Sequence, residues 1–394
     1  MILTITSLSE TFLANLKYFW VSSVIPFFIL SALFFLAAPV LAQTIQIAHI
    51  APFTGPAASD ARELNTGILA SLAETNRAGG IKGKKIALLT LDDKYSGEQF
   101  EQMLNIAMEK NPIALLAPLG LAQMRQLLEK KLLDKHDLVV VNAIPGATPF
   151  RSPGHEKLFH VRASDKEQLE KIFQHVITLG ISNIHVLLQD MKAGGEDIRN
   201  AKNALLNSEK LNLKIEVLEQ KQNTFAEYAR KAMSSDTQSI LVLGSPPYMA
   251  QAISELRKAG LSKPIFALSH LPPSLVLKLS SEEGARGVSI SQTYPSPMGR
   301  NLPLQRQFQA AMRATFPDIK VYSSFQFEGY ISAKVLEAGV KRISGPINPS
   351  TLTLSFKKMG AIDLGGFWVD FSKNNSGSRF VDLAIISQNG RLLY

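Results

Sequence analysis

The chain predicts an α/β protein built as two doubly wound parallel-sheet lobes. Three observations carry that expectation. Short apolar runs at residues 45–50, 85–91, 113–117 and 138–141 are separated by single stretches of helical periodicity. Strands joined through single helices imply crossover connections and a parallel sheet covered on both faces. A second series of the same kind starts near Arg162, and the 394 residues, about 350 of them beyond an apolar N-terminal segment, suit two lobes better than one core.

In chain order, the strand at 45–50 leads into a turn, Pro52-Phe53-Thr54-Gly55-Pro56, and then a helix through 63–77 that Asn76-Arg77-Ala78-Gly79-Gly80 stops. The strand at 85–91 closes on Asp92-Asp93 and precedes a helix at 98–109. The strand at 113–117 precedes a helix at 123–135, and the strand at 138–141 runs into Ile144-Pro145-Gly146-Ala147-Thr148-Pro149. In the second series, Ser164-Asp165-Lys166-Glu167 is a capping box, in which the serine accepts an orphan N–H and the glutamate reaches back. Behind it Leu169, Ile172, Phe173, Val176 and Ile177 share one helical face, and Gly180 ends the helix.

Strands at 184–188, 213–218, 240–243 and 264–268 then alternate with helices at 196–206, 225–233 and 249–259. An internal echo relates 86–93 to 184–190, each an apolar strand ending on an acidic residue with glycines beyond it. That C-terminal strand edge is where open α/β sheets bind ligands. Further on, Tyr294-Pro295-Ser296-Pro297 reads as an extended link, and 304–316 and 332–340 read as helices. Residues 367–371 and 380–387 read as a hairpin about a polar turn, completing the sheets of the earlier lobes.

Residues 18–42 carry no charge and end in small residues at Val40 and Ala42, the pattern of a signal peptide cleaved after Ala42. The run is also long enough to span a bilayer as an uncleaved anchor, although Pro26 and Pro39 interrupt it. With no cysteine, neither a disulfide nor a thioether lipid anchor can form, so the core alone must hold an exported product together. The net charge of +9 is spread along the chain without a basic run or interleaved aromatics. That distribution reads as a solvated surface and gives no nucleic-acid partner.

Catalytic signatures are missing. No G-x-G-x-x-G follows a strand, and there is no G-x-x-x-x-G-K-[ST] and no G-x-S-x-G elbow. The seven histidines are dispersed without metal-ligand spacing. Asp92 and Asp93 are adjacent on a strand, so they point to opposite faces. The expectation is a protein that is not an enzyme and has no cofactor and no metal.

At this point the residues resemble a known family. Pro52-Phe53-Thr54-Gly55-Pro56, the segment 76–83, Leu91-Asp92-Asp93-Lys94-Tyr95, Pro145-Gly146-Ala147-Thr148-Pro149 and Arg162-Ala163-Ser164-Asp165 follow the order seen in periplasmic binding proteins of the leucine/isoleucine/valine-binding type, the substrate-binding components of ABC importers. The likeness runs on through Gly287-Val288 and Phe327-Glu328-Gly329-Tyr330. It implies a type I periplasmic binding protein fold, with two lobes joined by three crossovers and a ligand cleft between them. Lobe one would be 43–161 plus 291–366, and lobe two 162–290 plus 367–394. The implied protein is a periplasmic monomer that captures a small polar solute, amino-acid-like, amide or carboxylate, for an ABC transporter permease. A sensing module of the same fold, an exported hydrolase and a membrane-tethered scaffold are the rival readings.

The resemblance also implies site residues. The loop Gly146, Ala147, Thr148 would hold a ligand carboxylate through backbone N–H groups and the Thr148 hydroxyl, or Thr148 would cap the following helix. Where the family offers a serine after the third strand, this chain has Ala122, with Gln123 either substituting or facing solvent. Asp60 stands near the usual aromatic position, and Tyr248 either walls the cleft or belongs to the core. His270, after Ser269, stands where an acidic residue would pair with a ligand ammonium. A buried ammonium needs a carboxylate partner, so either Asp60 takes that role or the ligand has no ammonium. The residues favour the second, with His270 donating to the ligand.

Overall fold

Strand β1 (Ile45–Ala51) shows how the first lobe is layered: Ile45, Ile47 and Ala51 enter one core while Ala48 and Ile50 enter another, as the two-residue period of a strand requires. The structure is a computed structural model that describes residues 44–189, 191–205, 208–218, 224–234 and 236–394. The expected signal peptide and its cleavage site lie outside the described residues, as does Asp190 of the internal echo. Among the described residues, no helix is long and apolar enough to cross a membrane.

After β1 come α1 (Ala58–Arg77), β2 (Ile86–Asp92), α2 (Gly97–Met108), β3 (Leu115–Leu116), α3 (Leu121–Glu129), α4 (Leu132–Lys135), β4 (Val140–Val141) and β5 (Leu158–Phe159). The strands form a parallel sheet in the order β2-β1-β3-β4-β5. The second series is α5 (Asp165–Thr178), β6 (Asn183–Leu188), α6 (Met191–Asn203), β7 (Asn212–Val217), α7 (Thr224–Ser234), β8 (Ser239–Leu243), α8 (Pro246–Lys258), β9 (Ile265–Ala267), α9 (Pro273–Ala285) and β10 (Val288–Gln292). Its parallel strands run β10-β9-β8-β6-β7. Both sheets therefore place the second strand on one side of the first and all later strands on the other. The topological counterpart of β6 is β1, so the echo between 86–93 and 184–190 matched non-equivalent strands.

The chain then returns to the first lobe. Helices α10 (Pro303–Thr315), α11 (Ser324–Arg342) and α12 (Pro349–Lys358) contribute Phe308, Phe327, Tyr330 and Phe356 to the core on the β1 Ile45/Ile47 face. Helix α11 lies against α1 at backbone distance. A Cβ on Gly67 would sit 1.8 Å from the Gln326 carbonyl oxygen, and one on Gly329 would sit 2.1 Å from that of Leu64. Two helices, α9 and α12, go beyond the sequence reading. Both begin at a proline, which is favourable at a helix's first position although it reads as a breaker.

The expected late hairpin does not form. Strand β12 (Trp368–Asp370) pairs with β11 (Ala361–Asp363), whereas β13 (Asp382–Ile386) pairs antiparallel with β10 and with β14 (Leu392–Leu393). Phe367, Val369 and Phe371 pack into the first lobe's core, so the chain leaves that lobe after 371 and not after 366. Likewise Ser291 and Gln292 belong to β10 in the second sheet, which moves the second crossing past 292. The segment between β12 and β13 is a crossing held by the first crossing: the His160 N–H donates to Asn375 O and the Gly377 N–H donates to His160 O, each at 2.7 Å.

A buried polar cluster ties the crossings together. Arg162 donates to Glu328 at 3.2 and 3.4 Å and also to the Ser269 hydroxyl of the second lobe. Asn142 Nδ2 donates to Glu328 at 3.1 Å, to the Tyr294 hydroxyl at 3.1 Å and to Ser332 at 2.8 Å. Its Oδ1 accepts the N–H groups of Val161 and Arg162 at 3.2 and 3.0 Å.

Candidate functional site

A strand order that reverses about its first strand opens a crevice at the sheet's C-terminal edge. Here that edge lies beyond β1 and β3 in the first lobe and beyond β6 and β8 in the second. Both edges line one cleft that encloses about 880 Å³ free of protein atoms, its mouth included. The first lobe supplies Asp60, Tyr95, Leu119, Ile144, Ala147 and Phe325; the second supplies Asp165, Leu188, Asp197, Leu243, Leu268 and His270. The walls are therefore mainly aliphatic, with acidic groups set into them. Such a composition is that of a binding cavity with a few orienting polar groups.

Of the residues expected from the sequence, Asp60, Ala147 and His270 line this cleft. Asp60, in the first turn of α1, is 3 % exposed. Burial, with a smaller contribution from Glu63, pushes its carboxyl up to about 8. His270 gives the expected donor to the protein and not to a ligand. Its Nε2 lies 3.0 Å from Gly244 O, a pure acceptor, so Nε2 carries the proton. Burial holds the ring near pKa 4 despite that bond, so it is neutral and its Nδ1 is a lone-pair acceptor.

The remaining expected residues have other partners. Thr148 donates its hydroxyl to Asp197 Oδ1 at 2.5 Å, and its N–H reaches the same carboxylate at 3.1 and 3.3 Å. The groups that would receive a ligand anion thus hold a side chain of the second lobe. Gly146 makes room for another: a Cβ there would sit 2.3 Å from Asp165 Oδ1. Ala122 is exposed on the first turn of α3, and Leu121 lines the cleft instead. Gln123 is buried and folds back over Gly120 to donate to Asp93 at 3.3 Å, so it neither faces solvent nor replaces a serine. Tyr248 is fully buried, edge-on to Phe225 at 5.4 Å, in the core of the second lobe.

Sequence reasoning missed the acids of the second lobe. Asp165 stood inside the capping box, which forms between Ser164 and Glu167, and inside a quoted motif, without being given a site role, and Asp197 fell within the helix expected at 196–206. Burial raises both. Asp165 is raised despite Arg162 and Arg151, and Asp197 reaches about 6 with help from the Asp165 charge and against its bonds from Thr148. Tyr95 stood inside a quoted motif, and its position just past β2 was the available signal. Among the described residues, no cluster of histidine and acidic side chains could hold a metal.

Two parallel-sheet lobes of identical strand order closing on one cleft define a type I binding-protein architecture. The family model described as periplasmic binding protein matches residues 44–391, and the chain belongs to that family. Among solved structures, an extracellular ligand-binding receptor from Verminephrobacter eiseniae is 41% identical, covering 89% of this chain and 100% of its own, with a TM-score of 0.84. A substrate-binding periplasmic protein from Ralstonia solanacearum is 25% identical over 89% of this chain and 99% of its own, with a TM-score of 0.78. A branched-chain amino acid transporter substrate-binding protein from Streptococcus pneumoniae, solved with isoleucine, shares the fold at 17% identity over 89% of this chain and 98% of its own, with a TM-score of 0.76. Among curated proteins none matches the chain.

Proposed function

We propose that this protein is an extracytoplasmic solute-binding protein that captures a small molecule between its lobes and delivers it to the permease of an ABC importer. The single observation that carries this reading is the shared cleft, lined from both lobes by aliphatic walls and a few buried polar groups. A solute that touches both lobes favours the closed arrangement by its differential affinity, and the closed surface is what a permease would read. The chain's work is then capture without chemistry, as a monomer in the periplasm after cleavage at Ala42.

The test begins with the protein purified from the periplasm of an expressing cell without refolding. Native mass spectrometry is expected to find a small molecule released on denaturation, and the intact mass to begin at Gln43. Thermal stability should rise on adding the solute back, since a ligand that binds only the native state stabilises it by mass action. Catalytic turnover of the released solute would overturn the reading. A mass that includes residues 1–42 would replace a free periplasmic protein with a tethered one.

A further inference from the structure

The cleft draws three carboxyl groups from three helices: Asp60 from α1, Asp165 from α5 and Asp197 from α6. No lysine or arginine is among the described residues that line it. The three acids differ in how the protein uses them. Asp197 accepts the hydroxyl and N–H of Thr148, the donors this loop would offer an incoming anion. Asp165 accepts Gln168 Nε2 at 3.3 Å and lies within the fields of Arg162 and Arg151. Asp60 is 3 % exposed and lines the cleft, and no protein group among the described residues donates a hydrogen bond to its carboxyl. A buried carboxyl without a donor is costly, and the cleft that Asp60 lines is where a donor from outside can reach it.

We infer that the solute is an amine with an apolar body and no carboxylate, its ammonium held by Asp60 and its body by the aliphatic walls. The inference rests on the solute-binding reading and specifies the ligand class for the same cleft. A carboxylate would meet Asp197 already seated on Thr148, with Asp165 close behind it. An ammonium meets Asp60, and the neutral His270 adds no opposing charge. This reverses the reading from the sequence, in which the loss of an acid at position 270 removed the ammonium; the acid is supplied from the opposite lobe.

The pH dependence of binding separates this from its nearest competitor. The titratable groups that share the cleft with Asp60 are Tyr95 after β2, and Asp165, Asp197 and His270 from the second lobe, while Glu63 acts on it from its own helix. With a pKa of about 8, Asp60 holds a proton at neutral pH and must release it to solvent before it can pair with an arriving ammonium. Affinity for an amine should therefore rise about tenfold per pH unit up to about pH 8 and then level off. A neutral solute accepting a hydrogen bond from protonated Asp60 would bind more weakly above that pH.

Calorimetry on the purified protein with isoamylamine, leucine and 4-methylpentanoate, which share one apolar body, tests the class, with phenethylamine and cyclohexylamine widening the amine panel. At least one amine is expected to bind roughly 10–100-fold more tightly than its carboxylate-bearing counterpart. Asp60→Asn should remove a similar factor, with circular dichroism confirming the fold. Asp197→Ala frees Thr148 and should shift the leucine-to-isoamylamine ratio toward leucine. Leucine or 4-methylpentanoate binding as tightly as the amines overturns the inference and leaves the solute-binding reading standing. So does an amine affinity that Asp60→Asn leaves unchanged or that falls through pH 8. If no amine in the panel binds, the inference falls whatever else the cleft takes.

Discussion

The hinge cluster around Arg162 and the Asp60 carboxyl in the cleft are buried to a similar degree but are satisfied in opposite ways. Arg162 and Glu328 are nearly inaccessible and answer each other's charge; Asn142 and Tyr294 also donate to Glu328, and Ser269 accepts from Arg162, whose Nε alone is left without a partner among the described residues. Among the described residues, Asp60 has no such partners. The difference teaches where to look for function. Charge the fold has neutralised is architecture, joining the first crossing, the second crossing and α11. Charge the fold leaves unanswered is costly in isolation and is kept for something that arrives from outside.

The sharpest way to break this comparison is at the hinge. Arg162→Met leaves Glu328 buried without its counter-charge, and a loss of about 3–5 kcal/mol in urea unfolding is expected. A loss below about 1 kcal/mol would mean that the hub is no better satisfied than the cleft. Asn142→Ala removes three donated hydrogen bonds and the acceptor for two crossing N–H groups. The expected cost is about 1–3 kcal/mol or more, measured the same way.

In the cleft the sign reverses. The folded pKa of Asp60 lies above its unfolded value of 3.8. Its contribution to stability is therefore fully present below about pH 4 and is lost as pH rises through about 8. Asp60→Asn should leave the melting temperature of the unliganded protein nearly unchanged at the acid end of that window and raise it at the alkaline end. A variant that is destabilised at alkaline pH would show that Asp60 is paired after all. The smallest effect is expected at Asp197→Asn. The amide oxygen still accepts from Thr148, so the change near neutral pH should stay within about 1 kcal/mol.

Much of the fold was legible because the signals are local. The short apolar run of β1, the capping box at Ser164 and the glycine stop at Gly180 each act within one or two turns of chain, and each appears where expected. Pairing was not legible. Residues 368–370 and 382–386 are strands, but whether they join each other or partners in separate lobes depends on contacts far away in sequence. The site divides along the same line. Asp60 and His270 follow strand ends and could be placed by topology. Asp197 sits mid-helix, and only the approach of the two lobes brings it to Thr148. Gln123 took neither of the roles expected of it, and Tyr248 took the core alternative, because burial, and not residue type, decides whether a polar side chain serves the core or a ligand.

The third crossing has a mechanical consequence. Because His160 exchanges hydrogen bonds with Asn375 and Gly377, two of the three linking strands are clipped into a short ribbon. A pair of independent threads could let the lobes swivel as well as swing; a ribbon bends easily across its face and resists torsion along its length. Opening should then follow a single arc, bringing Asp60 and Asp197 apart and back along the same path at every cycle.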